Sequence, residues 1–194
     1  MVTKEEIKNS AHYCFAHYGY EGTTMQDIAK AVGLKKQSLY THYESKDAIY
    51  QTVLREQNAR ILAELRTSFE QLQNLPAEDL LKGLFVSIVN IFQNRESLLL
   101  WLRAIIYHGS NSGIWVSDTL EWHYEKPLSN MLYDVLKDRY AILSDYNTFN
   151  NFFFSYMLII QGYLSWMVSM GEDAASWEAV WLNFWNGVNG LFVI

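Results

Sequence analysis

The chain has 194 residues, half of them hydrophobic and 19% charged, so a sizeable core is available and global disorder is argued against. Lys and Arg number 15 against 21 Asp and Glu, and a net charge of −6 is not that of a uniformly basic nucleic-acid binder. Cys14 is the only cysteine, which excludes an internal disulfide and any CxxC zinc or redox motif; beside Phe15 it reads as a small buried thiol. Gly and Pro are sparse and no strand-and-turn rhythm is present, so the expected class is all-α. The opening MVTKEEIKNS is charged and lacks the apolar stretch of a signal peptide, which leads to the expectation of a cytoplasmic protein.

Taken in chain order, Thr3-Lys4-Glu5-Glu6 reads as a capping box and predicts a first helix from Lys4 to Tyr18, ended by Gly19. Thr24 caps a second helix, with Asp27 returning the bond and Ile28, Ala29 and Val32 as its apolar stripe. Gly33 supplies the positive φ where that helix must turn, and Leu34 plugs the turn. A third helix follows over about 36–42, with Leu39 and Tyr43 facing inward. It leaves Lys35, Lys36, Gln37, Ser38, Tyr40, Thr41 and His42 outward, and Ser45 then caps the next helix, with Asp47 in its first turn.

Two short helices hinged at a glycine, the second with a polar outer face, have helix-turn-helix geometry. Such a second helix fits a major groove about 12 Å wide. A bare glycine-hinged pair is equally what two ordinary packed helices look like. The charge is distributed in favour of the first reading. Residues 1–50 hold six Lys and six acids, residues 51–194 hold nine basic and fifteen acidic side chains, and within 24–46 four Lys face only Asp27 and Glu44.

Ile7, Ala11, Phe15, Gly19-Tyr20, Thr23-Thr24, Ile28-Ala29, Val32-Gly33, Leu39-Tyr40, His42-Tyr43 and Ser45-Lys46-Asp47-Ala48-Ile49 fall in the register of a known pattern. Residues 7–50 resemble the DNA-binding head of the TetR family of transcriptional regulators, the LY-x-H-[FY]-x-[ST]-K run being the most specific part. The resemblance implies a helix-turn-helix DNA-binding domain over 1–46 and a larger helical regulatory domain over 47–194. By geometry and resemblance Lys36, Gln37, Ser38 and Thr41 are candidates for base edges, with Lys35 beside them on the same surface. Thr24, Tyr40, His42 and Lys46 are candidates for phosphates, which set register without reading sequence. His42 also has a plain packing role open to it.

Beyond Ser45 a long helix is predicted, with Ile49, Val53, Ile61, Leu65, Phe69 and Leu72 as its apolar stripe, broken at Asn74-Leu75-Pro76. Helices follow over about 77–93 and 97–107, then a loop at 108–113 and a helix over about 114–140, interrupted or kinked at Pro127. The last two predicted helices, about 149–170 and 174–192, flank Gly171-Glu172-Asp173. The segment from Tyr146 to Gly171 carries no charge and is nearly long enough to span a membrane. Its Asn, Ser and Gln residues and acidic flanks argue instead for a helix buried in a protein interface, and no membrane partner is expected.

Trp177, Val180, Trp181, Phe184, Trp185, Val188 and Leu191 form a second long apolar stripe, part of which must be core. The two final helices offer more apolar surface than one small body readily hides, and in proteins this chain resembles they pair with a second copy. A homodimer through them is expected, with Tyr163, Trp166, Trp177, Trp181, Phe184, Trp185 and Val188 as interface candidates. The aromatics of 97–163 read singly as core and together as the wall of a small-molecule cavity. Trp101, Arg103, Tyr107, His108, Trp122, His123, Tyr156 and Gln161 are the ligand candidates. Glu121 and Glu125 either favour a cationic aromatic ligand or form a solvated helix face.

The resemblance implies a homodimeric repressor on an inverted-repeat operator in double-stranded DNA. A small, largely hydrophobic or aromatic effector would release it by shifting the helix over 46–73. No HExxH, P-loop, GxSxG or dinucleotide fingerprint is present, so neither an enzyme, a cofactor nor a metal site is expected. The rival from another class is a helical carrier or sensor of hydrophobic molecules whose head does not bind DNA.

Overall fold

A computed structural model of the chain describes residues 2–107, 125–170 and 176–192. Among the described residues the secondary structure is entirely helical. The helices are α1 (Lys4–Gly22), α2 (Met25–Ala31), α3 (Lys36–Leu39), α4 (Lys46–Leu72), α5 (Ala77–Ile91), α6 (Arg95–Tyr107), α7 (Glu125–Leu136), α8 (Tyr146–Met170) and α9 (Trp177–Val188). Single 3-10 turns at Ala141–Ser144 and Asn189–Phe192 complete them. The described residues of Met1–Arg60 and Asn94–Leu120 form one compact unit, and those of Ile61–Gln93 and Glu121–Ile194 form the other.

Short-range chemistry sets most of the boundaries. Thr3 and Glu6 close the expected capping box on α1. Gly19, at φ 74°, breaks the helical path where the sequence ends the first helix, and a short further turn runs on to Gly22. The Ser45 hydroxyl accepts from the Ala48 N–H at 3.0 Å and caps α4. Asp145 caps α8 by accepting from the Thr148 N–H at 2.8 Å, so this helix begins at Tyr146 and takes in the expected junction. Pro127 lies within α7, two residues after its first described residue, Glu125. The expected loop at 108–113 and the start of the expected helix at 114 lie outside the described residues.

In the first unit α1 packs on α6 and α2, and α2 on α3. Its core gathers Ile7, Ala11, Phe15, Ile28, Ala29, Leu39, Ile49, Val53 and Leu100. The stripe predicted for the long helix is thus shared out: Ile49 and Val53 are buried here, whereas Ile61, Leu65 and Phe69 are buried in the second unit. That second core combines α5 (Leu80, Leu81, Leu84, Phe85, Ile88), α7 (Leu128, Leu132, Leu136), the inward side of α8 and Trp181 and Phe184 of α9. By length and composition α8 alone among the described helices is able to cross a membrane, and a third of its most apolar window is buried within the chain.

Candidate nucleic-acid interface

The head is built from α2, α3 and the turn between them. The Thr24 hydroxyl accepts from the Asp27 N–H at 3.2 Å, while the Thr24 N–H and hydroxyl donate to Asp27 Oδ2 at 2.9 and 2.6 Å. Those two donors hold the Asp27 carboxyl below its ordinary range. At the other end of α2 the Leu34 N–H reaches the Ala29 carbonyl at 2.8 Å and the Gly33 N–H reaches Lys30 at 3.1 Å. With Gly33 at φ 71°, this is a complete Schellman motif, and it turns the chain sharply into α3. A Cβ at Gly33 would meet no atom within 4 Å, so only the backbone conformation demands glycine there.

α3 is a single turn closed on itself. Leu39 is fully buried beneath it and Tyr43 is half-buried. The expected helix to His42 continues only as turns, because the Thr41 hydroxyl takes the Ser38 carbonyl at 2.7 Å. Of the nine expected DNA-contacting residues, Thr24, Lys35, Lys36, Gln37, Tyr40 and Thr41 are exposed, and Ser38, His42 and Lys46 are half-buried. Lys46 has an intramolecular task. Its ammonium donates to the Tyr20 carbonyl at 2.8 Å and sits 4.0 Å from the centre of the Tyr20 ring, tying the start of α4 to the end of α1.

Two further residues position this head. Thr23 is fully buried, and its hydroxyl lies 2.7 Å from the Gly19 carbonyl and 3.1 Å from that of Cys14. It fixes the kinked end of α1 to the start of α2. Gln57 is buried between α1 and α6: its amide donates to the Ser97 carbonyl at 3.0 Å, and its carbonyl lies 3.0 Å from His12 Nε2. Because the Gln57 amide nitrogen is committed to Ser97, His12 must present its Nε2 proton to Gln57.

The sequence model described as "Bacterial regulatory proteins, tetR family" matches residues 7–53, from Ile7 in α1 to Val53 in α4. The head is that of the TetR family of bacterial regulatory proteins. Over 48 residues it is 50% identical to the biofilm operon icaADBC HTH-type negative transcriptional regulator IcaR of Staphylococcus aureus (strain Newman), a match covering 25% of this chain and 26% of that protein. The Staphylococcus epidermidis IcaR is 49% identical over 47 residues. The chain thus spans about a quarter of the length of these curated relatives.

The likeness of fold extends much further. A transcriptional regulator of Rhodococcus sp. RHA1 superposes with a TM-score of 0.74 at 13% identity, covering 100% of both chains. SCO4454, a TetR-family regulator from Streptomyces coelicolor, gives 0.72 at 14% identity over 97% of this chain and 93% of its own. At these identities the likeness speaks for the fold. The family is one of transcription regulators and not of enzymes.

Outside the TetR head, the ligand candidates are dispersed. Trp101 is 1% exposed in the first unit. Arg103, in the same unit, donates to the His17 carbonyl at 3.0 Å beside the Gly19 kink. Tyr156 is fully buried in the second unit, and its hydroxyl donates to the Leu81 carbonyl at 2.7 Å. Gln161 donates to Glu125 Oε1 at 2.9 Å. Burial pushes the Glu125 carboxyl above its ordinary range, only partly opposed by that amide. His108, Trp122, His123 and the Tyr107 side chain lie outside the described residues.

The apolar stripe of α9 turns toward its own chain. Trp177 and Trp181 stand 6.4 and 6.1 Å from Phe85, and Phe184 stands 5.7 Å from Tyr156. Tyr163 is buried 5.8 Å from Phe85, whereas Trp185 and Val188 are half-buried. Trp166, at 45%, is the one substantially exposed member of the expected interface set.

Proposed function

We propose that the chain is a homodimeric transcriptional repressor that reads an inverted-repeat operator in double-stranded DNA and releases it on binding a small, largely hydrophobic or aromatic ligand. The observation that carries the first part is the exposed row Lys35, Lys36, Gln37, Tyr40 and Thr41, presented by a short helix whose inner residue Leu39 is fully buried. Residues 1–46 then serve as the reading domain and 47–194 as the regulatory one. Lys36, Gln37, Ser38 and Thr41 meet base edges, while Thr24, Tyr40 and His42 hold phosphates. Lys46 positions the head through Tyr20 and adds charge near the backbone of the DNA. That IcaR is a negative regulator supports repression over activation. Such a protein works in the cytoplasm, where its DNA is.

Dimerisation is assigned to the outward side of α8 and α9. Leu158, Trp166, Met170 and Leu182 are 45–57% exposed there, amid the uncharged Gly162, Ser165 and Ser169. An apolar, chargeless face of this kind is what a self-complementary interface requires. Two heads related by a two-fold axis then meet successive major grooves about 34–36 Å apart.

The test of DNA binding is fluorescence anisotropy on random-sequence duplex across a salt series. Wild type should lose affinity with rising salt, and Lys46→Ala should lower the slope of log K on log salt by about one. Affinity without salt dependence, or none at any salt, contradicts the assignment and favours the carrier.

A further inference from the structure

We propose that the polar cleft where α1, the first half of α4 and the start of α6 meet binds a small organic anion, a carboxylate or phosphate carried on a hydroxylated body, and that this anion alters DNA affinity from within the head's own unit. The second part rests on the reading of the head as a DNA-binding domain, whereas the first stands on the cleft alone. The cleft has a volume of about 600 Å³, within the range of small-molecule sites, and every residue lining it belongs to the first unit. Its lining includes two deeply buried polar side chains, Ser97 at 2% and Gln57 at 5% exposed. Groups buried to this degree ordinarily spend their hydrogen-bonding capacity on partners. Here part of it is left over. The Ser97 hydroxyl accepts from Arg60 Nη2 at 2.9 Å and donates to no acceptor among the described residues, and the Gln57 amide spends one of its two protons, on the Ser97 carbonyl.

The charges around the cleft are unevenly matched. Lys8 is held by Glu5 and Glu56, and Glu96 lies 3.7 Å from His17 Nε2. Arg60 has no carboxylate partner among the described residues; what fixes its guanidinium is the neutral Ser97 hydroxyl. A planar guanidinium with further N–H donors to offer, beside two unspent buried donors, is suited to an oxyanion. A cationic guest would meet Arg60 with both acids of the cleft already engaged. An apolar one would leave the Ser97 and Gln57 donors unanswered. The volume far exceeds that of a bare inorganic ion, and Asn9, His12 and Asn94 complete a lining able to hydrogen-bond a hydroxylated body.

The test is isothermal titration calorimetry on the full chain with gluconate, glucose 6-phosphate and neutral glucose, at about 0.1 M salt to screen loose association with surface charge. At least one anion should bind about tenfold or more tighter than glucose, and which one does so separates carboxylate from phosphate. Arg60→Gln should abolish that preference and Ser97→Ala should weaken the anion several-fold, with circular dichroism and the urea midpoint showing both variants folded. Arg66→Gln, which removes an exposed charge of α4 outside the cleft, should change nothing. Failure of both anions to bind, equal binding of anion and glucose, full anion affinity in Arg60→Gln or Ser97→Ala, or an equal loss in Arg66→Gln overturns the proposal. Affinity for a DNA duplex is measured with and without the bound anion. A change in wild type that Arg60→Gln lacks is the expected result; Arg60-dependent anion binding that leaves DNA affinity unchanged upholds the site and overturns its effect on DNA.

Discussion

Replacing Thr23 by Val removes one proton from the interior of the head and changes little else. The side chain is fully buried, so the methyl that takes the place of the hydroxyl occupies the same space. What disappears is a donor shared between the Gly19 carbonyl at 2.7 Å and the Cys14 carbonyl at 3.1 Å. Leaving buried carbonyls short of a partner costs about 1–3 kcal/mol. Thr23→Ser keeps the donor and loses a methyl group, a deletion of the kind that costs about 0.5–1.5 kcal/mol. The stability order should therefore be Thr, then Ser, then Val. Hydrogen exchange of the α1 and α2 amides under native conditions reads this in the head alone, independently of the second unit. Since Thr24 follows directly and caps α2, Thr23→Val should also weaken DNA binding without changing base preference. Val as stable as Ser would refute the reasoning, because packing and not the hydroxyl would then hold the kinked end of α1.

Gly33→Ala should destabilise the head by about 1–2 kcal/mol through the positive φ alone, and Gly33→Asn by less, as hydrogen exchange at α2 would show. Gln37→Ala should relax preference at one base position by about 1–3 kcal/mol, whereas Lys46→Ala should weaken all sequences alike; competition binding with single-base operator variants separates the two. The lowered Asp27 carboxyl contributes stability that is fully present above the ordinary value of 3.8 and is lost as pH falls below it through the folded value. Acid titration of Asp27→Asn should accordingly show a flatter loss of head structure than wild type over that range. Trp166→Glu should yield folded monomers by sedimentation equilibrium, while Trp181→Ala, which empties a site 3% exposed, should cost about 3–5 kcal/mol in urea unfolding.

The parts of this molecule that were legible in its sequence are those fixed by neighbours a few residues apart. Thr3 with Glu6, Thr24 with Asp27, Ser45 and Gly33 each mark a helix end by local hydrogen bonding, and each was found where the spacing puts it. The stripe from Trp177 to Val188 shows that α9 has an apolar face, but what covers a face is a tertiary matter. Here α5 and α8 of the same chain occupy much of it. The tie from Lys46 to Tyr20 and the burial of Gln57 against Ser97 join residues 26 and 40 positions apart, distances over which spacing carries no signal.

The central claim is that a paired helix-turn-helix surface reads a specific DNA sequence. The most direct test is selection of bound duplexes from a random-sequence pool by the purified protein at about 0.1 M salt, where non-specific phosphate binding is held in check. Enrichment of one inverted repeat with half-sites about one helical turn apart is the predicted result. A folded protein that retains duplexes without enriching any sequence, or that retains none, would contradict it.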